Sequence, residues 1–449
     1  MPAYDTVVIG LGGMGSAALY HLARRGQRVL GIDQFSPPHA RGSSHGGSRI
    51  IRLAYYEHPS YVPLLRRAYE LWRALEHDSA RPLLQITGSL DVSADDGEIF
   101  PRSLASCEEH GVPHEVLASA DLSRRFPGYQ FPSGYSALYQ PDGGILDPEE
   151  CVAAHLALAA ANGATVELDR EVTVVRPDSN GVTVRTASAE YRAGRVVVAA
   201  GPWTGSLLPR LAPLAVAERQ VVGWFTPRDG GLFAPERFPV FNVQVEEGRY
   251  YGFPADGAGV KVGRYHHLDE RVDPSAYDRT IHAADEAVLR RYVSRYLPAA
   301  NGPMAKAETC LFTNSPDEHF IIDRVPDSPA LVVAAGFSGH GFCLGPVSGL
   351  LFADLALGRL SLVASPYQLG DGGTGWLGIM GPANMPKPVV DRLHKEIVAI
   401  VATPEFKAAM DANGAEPIAS KSPEEFREML RGQVDKYVKI TKAIGIKLD

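Results

Sequence analysis

The N-terminal segment alternates between apolar runs and glycines in a way that predicts a strand, a turn and a helix. Residues 6–9 (TVVI) are mostly apolar, and residues 10–15 (GLGGMG) contain four glycines. Apolar positions then recur at spacings of three and four, which is the period of a helix packed on one side. These positions are Ala18, Leu19, Leu22 and Ala23. Residues 28–33 (RVLGID) predict a second strand, so the segment as a whole predicts a βαβ unit.

Further along the chain, the pattern predicts one capped helix and several buried strands. Asp147 is a suitable N-cap, Pro148 occupies the first helical position, and Glu150 follows three residues after the cap. Apolar runs typical of buried strands lie at 165–168, 195–200 and 331–335. Between about residues 215 and 305 the strand-like segments alternate, which is typical of a more antiparallel sheet; examples are 221–225 and 259–263.

These patterns predict an α/β fold in which two parts of the chain interleave. We expect a discontinuous Rossmann-like domain to comprise residues 1–85, 146–215 and 310–360. An antiparallel-sheet domain is expected from residues 86–145 and 216–309. Each part is long enough to bury its own core.

The C-terminal segment has a different character. Residues 361–374 include the run GDGG and predict a linker, which leads into an appended, mainly helical module at 375–449. In this module apolar residues recur every four positions, and Ser422 begins the capping box SPEE. The repeating residues are Val389, Leu393, Ile397 and Val401. Because such a stripe must be buried, the module should form its own core, dock on the rest of the chain or pair with another chain.

Composition narrows the classes of function. The 449 residues are 45% apolar and 21% charged, which is ordinary for a globular protein. With a net charge of -8 and no dense Lys/Arg tract, the chain offers no basic surface for nucleic acid. No run is long and apolar enough for a membrane helix, and the N-terminus lacks the pattern of a signal peptide. We therefore expect a cytoplasmic protein without a nucleic-acid or membrane partner.

The cysteines predict neither a disulfide framework nor a metal site. They are Cys107, Cys151, Cys310 and Cys343. Their spacing forms no CxxC pair and no zinc-ligand pattern. A reducing compartment fits this usage best.

The glycine-rich turn is a candidate dinucleotide site. Gly10 permits a tight turn, Gly12 lets the backbone approach a pyrophosphate, and Gly15 lets the helix pack close to the strand. Asp33, about twenty residues further on at the end of the second strand, can accept a ribose hydroxyl. A plain glycine turn is the alternative, and the motif does not separate FAD from NAD.

A second loop and several short motifs favour one family. Residues 42–52 (GSSHGGSRIIR) combine small residues with three basic groups, although a surface loop with solvated arginines is an alternative. Further motifs follow in order: YYGFP at 250–254, KVG at 261–263, Cys310, DEHFIID at 317–323 and GFSGHGF at 336–342. On these motifs, residues 1–360 resemble the monomeric sarcosine oxidase family. That family includes N-methyltryptophan and pipecolate oxidases and lies within the D-amino-acid-oxidase-like flavoproteins.

The resemblance implies that the Rossmann-like domain binds FAD and that the antiparallel-sheet domain holds the substrate. The implied cofactor contacts are Gly10, Gly12, Gly15, Asp33, Ser44, His45, Ser48, Arg49, Gly201, Cys310, Gly339, His340 and Gly341. In the family a cysteine matching Cys310 is linked through its sulfur to the flavin, which implies covalent FAD. Such a thiol needs a lowered pKa, so His45 and Arg49 are expected to activate it and to balance the charge of reduced flavin. A buried apolar cysteine is the alternative.

The resemblance also implies a set of catalytic residues. They are Lys261, Arg49, His45, Tyr251 and His266, of which His266 aligns only with one apparent insertion. Lys261 matches the position where relatives hold an ammonium over the flavin, at the place where oxygen reacts. A fixed cation there would stabilise the negative charge that develops on dioxygen. The alternative is an ordinary lysine at the exit of a strand.

The expected substrate pocket departs from the family pattern. Its implied residues are Arg52, Tyr251, Phe312 and Cys343. In relatives an arginine and a lysine clamp the substrate carboxylate, and here Arg52 matches the first while Cys343 stands in place of the second. Phe312 stands in place of a tyrosine. We therefore expect a pocket more apolar and less cationic than a sarcosine site, and the pattern leaves the particular amine open.

Taken with the resemblance, these features predict an FAD-dependent amine oxidase. It would transfer hydride from a secondary amine, either N-methyl or cyclic, to the flavin, release an imine that hydrolyses, and reduce O2 to hydrogen peroxide. One alternative is a flavin-dependent amine dehydrogenase with another electron acceptor. Another is a binding or scaffold protein with a degenerate flavin domain. The expected partners are the small amine and O2.

The C-terminal module resembles a different family, the substrate receptors of tripartite tricarboxylate transporters. The motifs that carry this resemblance are WLG at 376–378, PANMPKP at 382–388, NGAEP at 413–417 and SPEEF at 422–426. Such receptors bind between two lobes, and only part of one lobe would be present. We therefore expect no independent solute binding, and the module is instead a candidate for packing or for oligomer contacts.

Overall fold

A computed structural model of the chain describes residues 3–325, 328–357, 387–411, 419–425 and 427–428. The chain divides into two compact units, residues 1–360 and 361–449. The predicted linker at 361–374 lies outside the described residues, as does the first part of the appended module.

The strands are given first, in chain order along the described residues. They are β1 (Ala3–Ile9), β2 (Val29–Ile32), β3 (Arg49–Ile51), β4 (Leu84–Ile86), β5 (Ser89–Ala94), β6 (Glu115–Ala118), β7 (Tyr135–Gln140), β8 (Gly144–Leu146), β9 (Thr165–Glu167), β10 (Val172–Asp178), β11 (Gly181–Thr186), β12 (Glu190–Val198), β13 (Val216–Phe225), β14 (Val240–Val245), β15 (Gly248–Asp256), β16 (Gly259–Arg264), β17 (Met304–Asn314), β18 (Ile321–Val325) and β19 (Ser328–Ala335).

The α-helices of the described residues follow. They are α1 (Gly13–Arg24), α2 (Tyr61–Ser79), α3 (Ile99–His110), α4 (Ser119–Arg125), α5 (Pro148–Ala161), α6 (Thr204–Leu207), α7 (Ala283–Tyr296), α8 (Gly345–Ala356), α9 (Lys387–Val401) and α10 (Pro404–Asp411). None of these helices is both long enough and apolar enough to cross a membrane.

The first sheet is the predicted Rossmann-like layer. Its strand order is β10-β11-β12-β1-β2-β9, with β19 beside β12 and β18 beside β19. The pairs β12-β1, β1-β2, β2-β9 and β12-β19 are parallel, whereas β10-β11, β11-β12 and β18-β19 are antiparallel. On one face α1 packs against α5 and α8. Gly349 of α8 approaches so closely that a Cβ there would lie 2.6 Å from the Cβ of Ala17.

The second large sheet is mainly antiparallel and has the order β17-β13-β16-β15-β14-β5-β7-β6. Its core includes Phe225, Phe241 and Tyr292, all fully buried. One predicted domain boundary, between residues 309 and 310, falls inside β17, because that strand pairs with β13 through Asn314. A short third sheet, β3-β8-β4, carries Arg49 on its first strand.

The expected α/β architecture with two interleaved sheets is confirmed. The predicted N-terminal caps of the helices are confirmed as well. Asp147 accepts a hydrogen bond from the backbone N–H of Glu150 at 2.9 Å at the start of α5. In the second unit, Thr403 caps α10 by accepting from the N–H of Phe406 at 3.2 Å. Ser422 likewise accepts from the N–H of Glu425 at 3.1 Å. The described part of the appended module is therefore helical, as expected.

Candidate active site

The glycine-rich turn joins β1 to α1 and lines a cleft. Gly10 has a φ of +85°, and a Cβ there would lie 2.4 Å from the carbonyl oxygen of Ala199. A Cβ on Gly15 would lie 1.7 Å from the carbonyl oxygen of Gly10. The tight turn and the close helix packing predicted for these glycines are therefore confirmed, because no larger residue fits.

Asp33 holds this turn against the end of β2. Its carboxylate accepts hydrogen bonds from the backbone N–H groups of Leu11 at 2.6 Å and Phe35 at 2.9 Å. The side chain of Asp33 also lines the cleft. Ser44 crosses from the second loop and accepts from the N–H of Gly13 at 3.1 Å.

The cleft has a volume of about 390 Å³ and extends along the carboxyl ends of the parallel strands. The predicted cofactor residues that line it are Gly10, Gly12, Asp33, Ser44, Arg49, Gly201, Gly339 and Gly341. The N-terminus of α1 contributes Gly13 and Met14. A glycine-lined cleft at a helix N-terminus suits the pyrophosphate of a dinucleotide such as FAD.

A smaller cavity of about 60 Å³ adjoins the cleft. Four residues line both spaces: Arg49, Phe312, Gly339 and Phe342. The smaller cavity is also lined by His45, Gly46, Ser48, Ile50, Arg52, Tyr55, Val222, Asn242, Tyr251, Phe253, Lys261, Tyr265, Glu308, Cys310, His340 and Cys343. A dinucleotide in the cleft would therefore contact a small molecule in the cavity near the four residues that line both spaces.

Lys261 is buried in the wall of the cavity. Its ammonium donates to the carbonyl oxygen of Gly46 at 2.7 Å and to the hydroxyl of Ser48 at 2.9 Å. Its Nζ lies 5.1 Å from the ring centre of Trp224 and 4.8 Å from that of Phe253. Burial, together with the neighbouring positive charge on Arg49, lowers the pKa of Lys261 to about 7, although Cys310, Glu149 and Glu308 oppose this change. The Lys261 side chain therefore changes its protonation state near neutral pH.

Cys310 lies on β17, opposite Gln220 of β13, with its side chain at the cavity. Burial raises the pKa of the Cys310 thiol, whereas the positive charges of Arg49 and Lys261 oppose that rise. The expectation of a lowered thiol pKa is therefore wrong for this arrangement, because the cost of desolvation exceeds the gain from the two cations. His45 is not among the groups that act on this thiol.

His45 is instead placed beside Glu308. Its Nδ1 lies 3.7 Å from a carboxylate oxygen of Glu308, and the contact with His45 holds the pKa of Glu308 at about 2. Within the described part of the chain, neither ring nitrogen of His45 has a hydrogen-bond partner. A buried imidazole that lines the cavity and makes no hydrogen bond could be satisfied by a hydrogen bond from a bound group.

Arg49 and Arg52 differ in their surroundings. Arg49 donates to the backbone carbonyl oxygens of Ser48 at 2.7 Å and Ser43 at 2.5 Å. Arg52 is 3% exposed and donates to both carboxylate oxygens of Glu57 at 2.8 Å. The guanidinium expected to hold a substrate carboxylate is thus already paired with a carboxylate of the chain itself.

Cys343 presents a neutral thiol to the cavity. Its Sγ donates to the carbonyl oxygen of His340 at 3.4 Å, and burial raises its pKa to about 12. His340 is held by the hydroxyl of Tyr55 at 2.9 Å and by the carbonyl oxygen of Glu318 at 2.9 Å. Burial lowers the pKa of His340, so this wall carries no positive charge near neutral pH.

Aromatic side chains form another wall. Tyr251 lies 5.2 Å from Tyr265, and Tyr265 lies 5.8 Å from Phe312, between ring centres. A Cβ on Gly263 would lie 2.3 Å from the Tyr251 ring, so the glycine leaves the space that this ring fills. Lys261 and Gly263 are two residues apart on β16, and Tyr265 follows directly after the strand ends. Extending this period of two by one step could have identified Tyr265 from the sequence.

His266 differs from its expected placement, because it is not among the residues that line the cavity. Its two ring nitrogens contact Glu218 at 3.0 Å and Glu318 at 2.8 Å, and these carboxylates raise its pKa to about 9. β16 ends at Arg264, so His266 lies in the turn that follows the strand. Among the described residues, ligand atoms of Glu218, His266 and Asp269 also lie within 4.8 Å of one another. His266 itself forms ion pairs with Glu218 and Glu318.

Comparisons with known proteins agree with this geometry. Residues 5–355 match the family model described as DAO, FAD dependent oxidoreductase. The monomeric sarcosine oxidase of Streptomyces avermitilis is 44% identical over 79% of this chain and 94% of that protein. The N-methyl-L-tryptophan oxidase of Salmonella enteritidis is 35% identical over 82% of this chain and 98% of that protein.

A solved structure shows the same fold. NikD, described as an unusual amino acid oxidase essential for nikkomycin biosynthesis, superposes with a TM-score of 0.69 at 29% identity. The match covers 80% of this chain and 94% of NikD. The family model ends at residue 355, so the receptor-like character expected of residues 375–449 stays a prediction.

Proposed function

Because the chain belongs to the DAO family of FAD dependent oxidoreductases and acts on CH–NH donors, we propose that it is an oxidase of secondary amines that reduces O2 to hydrogen peroxide. The observation that carries this proposal is that the cleft and the small cavity adjoin each other. The cleft that suits a dinucleotide shares Arg49 and Phe312 with a small cavity that is lined by a buried lysine, Lys261. Relatives that act on sarcosine and on N-methyl-L-tryptophan support an N-methyl amine as the reacting group.

The residues of the cleft fit FAD. Gly10, Gly12 and the start of α1 would hold the pyrophosphate, and Asp33 would hold the ribose. Bound FAD would supply the two-electron acceptor for the C–H bond next to the amine nitrogen. We propose Cys310 as the point of covalent attachment, since it lines the cavity and the positive charges of Arg49 and Lys261 both act on its thiol.

The side chains of the cavity would bind and orient the amine. Tyr251, Tyr265 and Phe312 provide apolar faces that exclude water and limit how a substrate can lie. An amine that binds in its neutral form needs no general base from the protein. Lys261 would hold its proton at Nζ beside the place where O2 gains negative charge, which favours oxygen as the final acceptor.

The test is direct. Purified protein should be yellow, should lose its flavin absorbance on anaerobic mixing with a secondary amine, and should regain it in air with one hydrogen peroxide formed per amine oxidised. Protein without flavin, or flavin that no amine reduces, would contradict the proposal. Reduction by amine without peroxide on admission of air would instead favour a dehydrogenase with another acceptor.

A further inference from the structure

A carboxylate lines the small cavity beside the buried lysine. Of the side chains that line this cavity in the described part of the chain, Glu308 provides the only carboxylate. It lies on β17 two residues before Cys310 and four before Phe312, and all three residues line the cavity. Since residues two apart on a strand point to the same face, Glu308 belongs to the wall that carries the proposed point of flavin attachment.

Glu308 pairs with one buried and one exposed side chain. Its Oε2 lies 3.7 Å from Nδ1 of His45, and its Oε1 lies 2.8 Å from Nζ of Lys306. The side chains of Glu308, His45 and Lys306 are 30%, 5% and 47% exposed, respectively. Contacts with His45 and Lys306 hold the pKa of Glu308 at about 2, so this carboxylate is ionised throughout the neutral range.

Gly46 brings this carboxylate close to the ammonium of Lys261. A Cβ on Gly46 would lie 3.4 Å from Oε2 of Glu308 and 3.5 Å from Nζ of Lys261. The two charged groups therefore border one small space and lie within about 7 Å of each other, where opposite charges still interact in a partly buried site. Nζ of Lys261 also donates to the carbonyl oxygen of Gly46 at 2.7 Å, which fixes the ammonium at this space.

Other groups also act on the charge of Lys261. They are Arg49 on β3, Glu149 on α5 and Cys310 on β17, while His45 and Tyr251 line the same cavity and the uncharged rings of Trp224 on β13 and Phe253 on β15 contact the ammonium. The thiol of Cys310 is neutral, because burial raises its pKa. Glu149 is engaged by backbone N–H groups at 2.7 Å and 3.2 Å. Glu308 is therefore the ionised carboxylate that lines the cavity beside Lys261.

Resting on the proposed oxidase function, we propose that Glu308 is a positioning residue for the reaction with O2, and that it acts by keeping the ammonium of Lys261 charged near neutral pH. A charged Lys261 stabilises the negative charge that O2 gains when it accepts electrons. Without the carboxylate, burial and the positive charge of Arg49 would make Lys261 lose its proton at a lower pH. Glu308 thereby widens the pH range in which the protein can use O2.

The first test measures the charge of Lys261 and needs no turnover. The flavin-loaded protein is labelled with an NMR-active carbon at Cε of its lysines, and the signal of Lys261 is identified by its loss in Lys261→Met. In Glu308→Gln its titration midpoint should lie about one pH unit below that of the wild type, as expected for the loss of one charge at about 7 Å. Glu308→Asp retains the charge and should keep the midpoint near the wild-type value.

Glu190→Gln is the matched control. Glu190 is 29% exposed and pairs with Arg185 at 2.6 Å, much as Glu308 is 30% exposed and pairs with Lys306 at 2.8 Å. It lies on β12 and does not line the cavity. The midpoint of Lys261 should therefore be unchanged in this variant. Glu308→Ala is a second variant without the charge, for use if Glu308→Gln is unstable.

The second readout is the pH profile of reoxidation by O2. In Glu308→Gln this profile should shift to lower pH by the same amount as the midpoint of Lys261, so that reoxidation at about pH 7.5 slows about five- to tenfold. Anaerobic reduction by amine should stay close to the wild-type rate. In the Lys261→Met background, adding Glu308→Gln should change neither rate, because the residue through which Glu308 acts is missing.

The possible results separate the proposal from its alternatives. An unchanged midpoint of Lys261 in the folded charge-free variants would overturn it. An equal shift in Glu308→Asp would also overturn it, since packing rather than charge would then be the cause, as would slowing by Glu308→Gln in the Lys261→Met background. If no amine gave hydrogen peroxide, the proposed function itself would fail, and the NMR comparison would still show whether Glu308 maintains the charge of Lys261.

Discussion

Replacing Lys261 by methionine tests the proposed oxygen site. Methionine is close to lysine in length and apolar, so it can occupy the space between Trp224 and Phe253 while removing the ammonium. The variant also loses the hydrogen bonds from Nζ to Gly46 and Ser48. We expect Lys261→Met to bind flavin and to be reduced by amine at a rate close to that of the wild type, and to be slow in the reaction with O2.

The size of the effect follows from the charge and its protonation. Loss of one preorganised electrostatic contact commonly costs about 10²–10³ in rate. Because burial lowers the pKa of Lys261 to about 7, the ammonium is charged below that pH and loses its charge as the pH rises. The charged fraction falls from about 0.9 at pH 6 to about 0.1 at pH 8. The wild-type rate of reoxidation should therefore fall about tenfold over this range, while the variant should show no such change.

A negative charge on bound flavin would move this window to higher pH without changing its direction. The assay is stopped-flow absorbance, with flavin reduction measured anaerobically and reoxidation measured after mixing with O2 at several pH values. Lys306→Met is the matched control, because Nζ of Lys306 lies 4.4 Å from the same Trp224 ring but its side chain is 47% exposed. The control should react with O2 at the wild-type rate.

Equal slowing of both half-reactions by Lys261→Met would refute the reasoning, since the charge would then serve binding or folding. A wild-type reoxidation rate that is independent of pH between 6 and 10 would also refute it. So would a comparable loss in Lys306→Met, because it would show that any nearby lysine has the same effect.

Four further predictions follow from the same residues. Flavin should remain with acid-precipitated wild-type protein and be released from Cys310→Ala; the attachment is contradicted if the variant retains it. The pKa of His266, raised to about 9 from about 6.5 in the unfolded chain, means that its stabilising contribution is complete below pH 6.5 and disappears as the pH rises through 9. In urea unfolding, the free energy of unfolding should fall by about 1–2 kcal/mol between pH 6.5 and pH 9, a value reduced because His266 is partly exposed, and His266→Gln should not show this fall. Equal losses in the wild type and the variant would exclude a stabilising role of His266. Cys343→Lys should improve sarcosine binding about ten- to hundredfold, and an unchanged KM would show that position 343 does not face the carboxylate. Truncation near residue 370, outside the described residues, should leave flavin binding and turnover unchanged, and loss of flavin from soluble protein would give the tail a part in the site.

Several elements of the Rossmann-like part of this protein are determined by local sequence. Gly15 must lack a Cβ, because a Cβ there would lie 1.7 Å from the carbonyl oxygen of Gly10, earlier in the same turn. The cap at Asp147 depends on atoms only three residues apart. Interactions of such short range are encoded in neighbouring residues, and for that reason these elements could be predicted without coordinates.

The character of the cavity was decided by tertiary contacts. Arg52 looks like an available cation in the sequence, yet the register of β5 against β14 brings Asp91 behind it, and the chain turns so that Glu57 pairs with it. Cys310 has two cations nearby, but its pKa rises because burial outweighs them. Charge balance and desolvation depend on residues far apart in the chain, so only the packed structure determines them.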